Sequence, residues 1–312
     1  MRGKMYDLII IGAGPAGLTA AIYALRAKKN ILMIERMMPG GQVAVTKNIE
    51  NYPGFERING ADLAVKLFEQ ATKLGLQIIF ADALEYDIIG KVKRIKTNNG
   101  TFESKTILLC LGAYSKQLEV ENEQKFVGKG ISYCATCDGN FFKNKTVAVV
   151  GGGNTSMEDA LYLYDLAKKI YIIHKHSKFR CDEASLNKVT TLAKKSNSKV
   201  EIILNSVVKK LDGTDKLESI LIEDILTKNT RDLDVDGLFI AIGRKPDTEP
   251  LKGILSLDEM GYIITDENMN TNIAGVYAAG DVRHKTLRQI ITACADGAIA
   301  SVSVNNYLLN VQ

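Results

Sequence analysis

The sequence predicts an α/β protein with two copies of one strand–turn–helix–strand unit, the second copy inserted into the chain that completes the first. Three observations carry this. Glycine-rich hexapeptides at residues 12–17 (GAGPAG) and 151–156 (GGGNTS) each follow an apolar run and open a helix-patterned stretch. In both copies a second apolar run follows, and the residue that ends it, Glu35 or His174, lies 23 positions after the first glycine. A third apolar run, within residues 275–281, meets Gly280-Asp281 and precedes a helical stretch at 288–308, so the first unit closes only near the far end of the chain. Polar, turn-forming residues cluster near 114–118 and 244–248, giving an expected division into 1–116, an insert at 117–245, and 246–312.

Composition bounds the function. A chain of 312 residues fits about two domains. With 46% hydrophobic and 24% charged residues it is globular in type, not disordered. The net charge of +4 comes from interleaved signs, so no nucleic-acid partner is expected. No apolar run approaches the roughly 20 residues of a membrane helix, and residues 1–7 hold no apolar leader, so the chain is expected to be soluble and cytoplasmic. Five cysteines, an odd and sparse set, fit a reducing compartment.

In the first unit the run 8–11 enters the turn and a helical stretch reaches residue 27. Lacking side chains, such a turn lets backbone amides approach a pyrophosphate, and the helix that follows presents its positive end. Gly12, Gly14, Pro15, Ala16 and Gly17 are the candidate contacts, and Glu35 can accept hydrogen bonds from ribose hydroxyls. This site suits FAD or NAD. In the second unit Gly151, Gly153, Asn154, Thr155 and Ser156 form the turn, but the stretch 174–180 (HKHSKFR) replaces the carboxylate with His174, Lys175, His176 and Arg180. Cations attract the 2'-phosphate that a carboxylate would repel, so this site suits NADP. Gly280 and Asp281, ahead of the last helix, can hold a ribityl chain, with the helix N-terminus facing a flavin pyrimidine.

Cys134 and Cys137 lie just before the second unit, with Asp138 beside them. At this spacing two cysteines can close a small disulfide, supply half a metal site, or be inert buried thiols. No second paired spacing offers the remaining ligands, so no metal is expected. Asp138 gives the pair a proton partner for thiol–disulfide exchange. Flavin, nicotinamide and dithiol together make one electron path.

These motifs resemble the low-molecular-weight, bacterial-type thioredoxin reductases, flavoproteins with two dinucleotide-binding (Rossmann-like) domains. The carriers are GAGPAG at 12–17, GGQ at 40–42, ENYPG at 50–54, CATCDG at 134–139, GGGNTS at 151–156, the stretch 174–180, and AAGDV at 278–282 with Arg288-Gln289. The resemblance spans almost the whole chain, and CATCDG is its most specific part. It implies a nicotinamide domain inserted into the FAD domain, bound FAD, NADPH as donor, a homodimer, and a thioredoxin or thioredoxin-like protein as substrate. It implies that Cys134 and Cys137 cycle between disulfide and dithiol, with Cys137 facing the flavin and Asp138 donating a proton. It further implies cofactor contacts at Gly41, Gln42, Asn51, Gly112, Ile242, Gly243, Gly280, Asp281, Arg288, Gln289 and Ile290, and an inserted domain that rotates during turnover.

One departure counts against NADPH. The family's His-Arg-Arg reads His174-Lys175-His176 here, although Arg180 remains. Lysine lacks the bidentate fork, and histidine is largely neutral near pH 7. Ferredoxin is therefore the alternative donor, and a flavin-bound redox sensor without turnover the alternative class. Cys110 and Cys294 read as core, Cys181 as partly exposed, His284 as loop, and residues 119–129 as a solvated hinge.

Overall fold

The computed structural model describes residues 5–46 and 49–310. Met1 to Lys4, on which the reading of the N-terminus partly rests, lie outside them. The chain divides into two compact units, Met1–Tyr114 with Lys245–Gln312, and Ser115–Arg244.

In the first unit β1 (Met5–Ile11), α1 (Pro15–Arg26) and β2 (Ile31–Glu35) form the expected βαβ. Proline at the start of α1 supplies a helical φ where no N–H bond is needed. After α2 (Gly60–Lys73) come β3 (Ile78–Phe80), β4 (Ala83–Asp87), β5 (Lys93–Thr97), β6 (Gly100–Leu109) and β7 (Ala113–Ser115). The sheet runs β3-β2-β1-β6-β5-β4. The first half of β6 pairs antiparallel with β5, and its second half pairs parallel with β17 (Val276–Ala278), which returns from the end of the chain. Strands β1, β2 and the end of β6 read as continuous apolar runs because both faces are covered.

In the second unit α3 (Glu123–Phe126), β8 (Ile131–Ser132) and α4 (Ala135–Asp138) precede β9 (Thr146–Gly151), α5 (Asn154–Tyr164) and β10 (Lys169–Ile173). Then follow α6 (Glu183–Ala193), β11 (Val200–Ile203), β12 (Ser206–Asp212), β13 (Ser219–Asp224), β14 (Thr230–Asp234) and β15 (Gly237–Ala241), and β16 (Arg244–Pro246) carries the chain back into the first unit. The parallel order is β11-β10-β9-β15-β8, with a separate antiparallel ribbon β12-β13-β14. The two chain crossings, β7 and β16, pair with each other.

The last helix, α7 (Ile290–Asn310), packs on α1 so closely that a Cβ on Gly297 would stand 2.1 Å from the Ala16 carbonyl oxygen. Among the described residues no helix is long and apolar enough to cross a membrane, and no His, Cys, Asp and Glu group could hold a metal. Cys110 and Cys294 are buried and Cys181 is half-buried. One expectation is corrected. Residues 119–129 are not simply solvated: Glu123 is buried and accepts from the Leu118 and Glu119 amides (3.1 and 2.9 Å) and from the Tyr133 hydroxyl (2.7 Å).

Candidate active site

Cys134 and Cys137 are joined as a disulfide, with Cα atoms 5.3 Å apart. Cys134 is the N-cap of α4, and its carbonyl receives the amides of Cys137 (3.3 Å) and Asp138 (3.1 Å), which winds the pair into one turn. The Ser132 hydroxyl ties this turn to the preceding strand. It accepts the Cys134 N–H at 3.1 Å and donates to Asp138 Oδ2 at 2.6 Å. Burial raises the Asp138 pKa, opposed by the Ser132 hydrogen bond. A half-buried carboxyl that keeps its proton more readily suits proton donation beside a dithiol.

The first glycine turn is close-packed beneath and open above. A Cβ on Gly12 (φ +102°) would meet the Cys110 carbonyl oxygen at 2.3 Å, and one on Gly17 the Gly12 oxygen at 2.0 Å. A Cβ on Gly14 would meet nothing within 4 Å. Glu35 is drawn onto the turn, Oε2 accepting the Ala13 N–H (2.7 Å) and Oε1 the Met37 N–H (2.9 Å). Each oxygen retains a second lone pair for a ribose hydroxyl.

Other expected cofactor residues are held around that unit. Gln42 donates through Nε2 to the Ala113 carbonyl, and Asn51 Nδ2 to Gln289 Oε1 at 3.0 Å. Gly41 and Gly112 take left-handed backbone (φ +55° and +71°). Arg288 lies 3.8 Å over the Tyr262 ring and donates to the Asp281 and Arg283 carbonyls, while Ile290 opens α7.

In the second turn a Cβ on Gly151 would stand 2.3 Å from the Ala241 oxygen, so the packing of the first turn is repeated. Ser156 replaces the third small residue without opening a gap: it is fully buried and its hydroxyl donates to the Gly153 carbonyl at 2.7 Å. The basic stretch folds back onto this turn. The Arg180 amide donates to Gly152 O (2.7 Å) and the Asp182 amide to Asn154 Oδ1 (2.8 Å). His174 is buried, stacked on Phe179, with Nε2 3.1 Å from the Lys178 carbonyl. Burial lowers its pKa, opposed by the hydrogen bond to the Lys178 carbonyl and reinforced by His176, Lys175 and Arg180 nearby, and the ring shapes the loop. Lys175, His176 and Arg180 are exposed, Ile242 half-buried, and Gly243 exposed with φ +105°.

Besides Glu123, sequence reasoning missed two buried carboxylates. Asp296 on α7 accepts the Gly280 N–H (3.0 Å), Lys285 Nζ (2.7 Å) and Arg283 Nη1 (3.3 Å), fixing the turn before Asp281. Asp159 on α5 receives the Ala135 N–H, and burial pushes its pKa up to about 7. The signal was an acid within an otherwise apolar helical stretch, most visible for Asp296 in α7.

Two nucleotide-type units and a disulfide turn with an adjacent acid define an oxidoreductase. Pyridine nucleotide-disulphide oxidoreductase is the family that matches residues 6–297, and the chain belongs to it. It is 41% identical over 310 residues to a thioredoxin reductase of Bacillus subtilis, covering 99% of this chain and 96% of that one. The structure of thioredoxin reductase from Streptococcus pyogenes is similar at 41% identity, TM-score 0.90, covering 98% and 99% of the two chains. A ferredoxin-flavin thioredoxin reductase from Clostridium acetobutylicum is similar at 30% identity and TM-score 0.52, covering 99% of each.

Proposed function

We propose that this protein is a thioredoxin reductase that takes electrons from NADPH through FAD to the Cys134–Cys137 disulfide and on to thioredoxin or a thioredoxin-like protein. The observation that carries it is the disulfide turn with an acid of raised pKa at its C-terminal end, in a chain with two glycine turns of different surroundings. The open space at Gly14, the acid-free first turn of α1 and the anchored Glu35 carboxylate fit FAD. Gly12, Gly14, Pro15, Ala16, Gly17, Glu35, Gly41, Gln42, Asn51, Gly112, Gly280, Asp281, Arg288, Gln289 and Ile290 would hold it. When bound, FAD supplies hydride acceptance and delivery of an electron pair to a disulfide. Gly151, Gly153, Asn154, Thr155 and Ser156 would hold the NADPH pyrophosphate, with Ile242 and Gly243 at the neighbouring strand end. Lys175 and Arg180 would attract the 2'-phosphate, and His174 and His176 shape and complete that loop.

The chain's own groups perform the disulfide chemistry. Reduction with two electrons and two protons opens Cys134–Cys137 to a dithiol, Cys137 being the sulfur that faces the flavin. One thiolate attacks the partner's disulfide and forms a mixed disulfide; the other then attacks the bridging sulfur of its neighbour, which releases the partner as a dithiol and closes the pair again. Asp138 supplies a proton to the departing thiolate, and the Ser132 hydroxyl holds its carboxyl toward the turn.

Ferredoxin is the second reading of the donor, favoured by Lys175 and His176 in the basic stretch. The same account makes the protein a cytoplasmic homodimer. Sustained NADPH oxidation with oxidised thioredoxin, lost in Cys137→Ser while flavin reduction by NADPH continues, is the expected result. A Cys137→Ser protein that still turned thioredoxin over at the parental rate would overturn the electron path.

A further inference from the structure

Helix α5 carries a buried carboxylate that the scheme above leaves unused. Asp159 is 8% exposed, and its carboxylate receives the backbone N–H of Ala135, the first residue of α4 and itself fully buried. N–H groups of a first helical turn have no acceptor within their own helix. Cys134, the N-cap, provides no side-chain acceptor, so Asp159 delivers from another helix the cap that the cysteine lacks. Three and four residues further along α5, Tyr162 and Leu163 close on Gly139: a Cβ there would stand 2.8 Å from the tyrosine ring and 3.3 Å from the leucine. Positions 159, 162 and 163 share one helix face. That face therefore grips both ends of the segment 134–139, while the N-terminus of the same helix forms the second glycine turn.

We infer that Asp159 is a positioning residue for the dithiol: by holding the Ala135 amide it keeps the α4 turn wound after reduction, so that the two thiols stay at the spacing from which the disulfide recloses. This rests on the reading of Cys134 and Cys137 as a redox pair. In the oxidised form the covalent bond holds the turn, whereas in the dithiol only non-covalent contacts do. A turn that stays ordered gains little chain entropy when the bond opens, which favours the disulfide; a loosened turn gains more and is easier to reduce. Burial is also the main cause of the raised pKa of Asp159, with the Ala135 bond and Arg244 opposing it and Glu158 reinforcing it. The fold thus keeps an ionisable group where an apolar side chain would cost less.

The test equilibrates the purified, flavin-loaded protein in glutathione buffers, alkylates it, and reads the redox state of the peptide containing residues 134–137 by mass. Asp159→Leu fills the site without an acceptor, and Asp159→Asn keeps one. We expect the leucine variant to move the equilibrium about tenfold toward the dithiol, about 30 mV for two electrons, and to lower the Tm of the dithiol form more than that of the disulfide form. The asparagine variant is expected within about twofold of the parent, the size of a retained neutral acceptor. A leucine variant at the parental equilibrium, or one whose two redox forms lose Tm equally, would reduce Asp159 to packing and overturn the inference. An asparagine variant displaced as far as leucine would overturn it too, since charge and not the acceptor would then matter. If the leucine variant does not fold, Asp159→Ala is held to the same criteria. A parent whose pair never closes in any buffer would overturn the redox reading itself, and the inference with it.

Discussion

The two βαβ units place different residues at the same point of one design. In the first, Glu35 at the end of β2 reaches back to the Ala13 and Met37 amides and lays a carboxylate over the glycine turn. In the second, the His174 ring lies so close to Gly152 that a Cβ there would fall 2.0 Å from it, and its Nε2 meets the Lys178 carbonyl. An anion anchored by amides suits a ribose with free hydroxyls, the role proposed for Glu35. A buried ring that folds a loop leaves Lys175 and Arg180 in solvent, where the proposed 2'-phosphate would meet them. On the proposed reading the turn supplies generic pyrophosphate affinity, while the strand end 23 positions on, with the basic stretch that follows it in the second unit, decides which nucleotide belongs there.

The largest effects should separate the units completely. Gly151→Ala pushes a Cβ into the Ala241 carbonyl and is expected to slow flavin reduction by NADPH about 100-fold, the size of a 2–3 kcal/mol strain, with flavin content unchanged; Gly12→Ala should instead yield protein without flavin. Absorbance of the purified variants and anaerobic stopped flow check both, and a Gly151→Ala protein that lost its flavin would break the assignment. Next, Lys175→Glu with Arg180→Glu should raise the KM for NADPH about 30-fold by losing charge-assisted contacts and leave kcat and NADH use unchanged. Glu35→Gln should weaken FAD binding about tenfold, one charge-assisted hydrogen bond, measured by flavin fluorescence on release. The gain-of-function pair Lys175→Arg and His176→Arg sharpens the comparison most finely: the KM for NADPH should fall about threefold as bidentate contacts return.

A pH experiment tests the buried acid of the second unit. Asp159 has a folded-state pKa of about 7 against an ordinary value of 3.8, so the folded form binds the proton more tightly. Its penalty on folding therefore grows as pH rises from about 4 to 7 and is constant above that. The stability of Asp159→Asn relative to the parent, from urea melts, should climb across that window and then level. A flat difference would contradict the raised pKa.

The βαβ units were legible because glycine turns, apolar runs and the 23-residue spacing are local, and because the pattern occurs twice. The cysteine turn was legible for the same reason. Glu123, Asp159 and Asp296 were not, since no periodicity marks their donors: amides in a neighbouring loop for Glu123, an amide of another helix turn for Asp159, and the Gly280 amide with Lys285 and Arg283 for Asp296. A charged residue there reads as solvent-facing until tertiary packing brings its donors. His174 was read as one cation among several; desolvation, visible only in the fold, lowers its pKa and makes it a buried spacer. Ser156 fits because its hydroxyl finds the Gly153 carbonyl, a compensation that residue size alone does not reveal.

The proposed difference between the two nucleotide sites is tested most directly by flavin absorbance under anaerobic conditions. Excess NADPH should bleach the bound flavin rapidly, with NADH at least about tenfold slower, as expected where one phosphate is worth about 1.4 kcal/mol or more. Equal rates with the two nucleotides, or a flavin that dithionite reduces and neither nucleotide does, would contradict it; in the second case reduced ferredoxin becomes the donor to add.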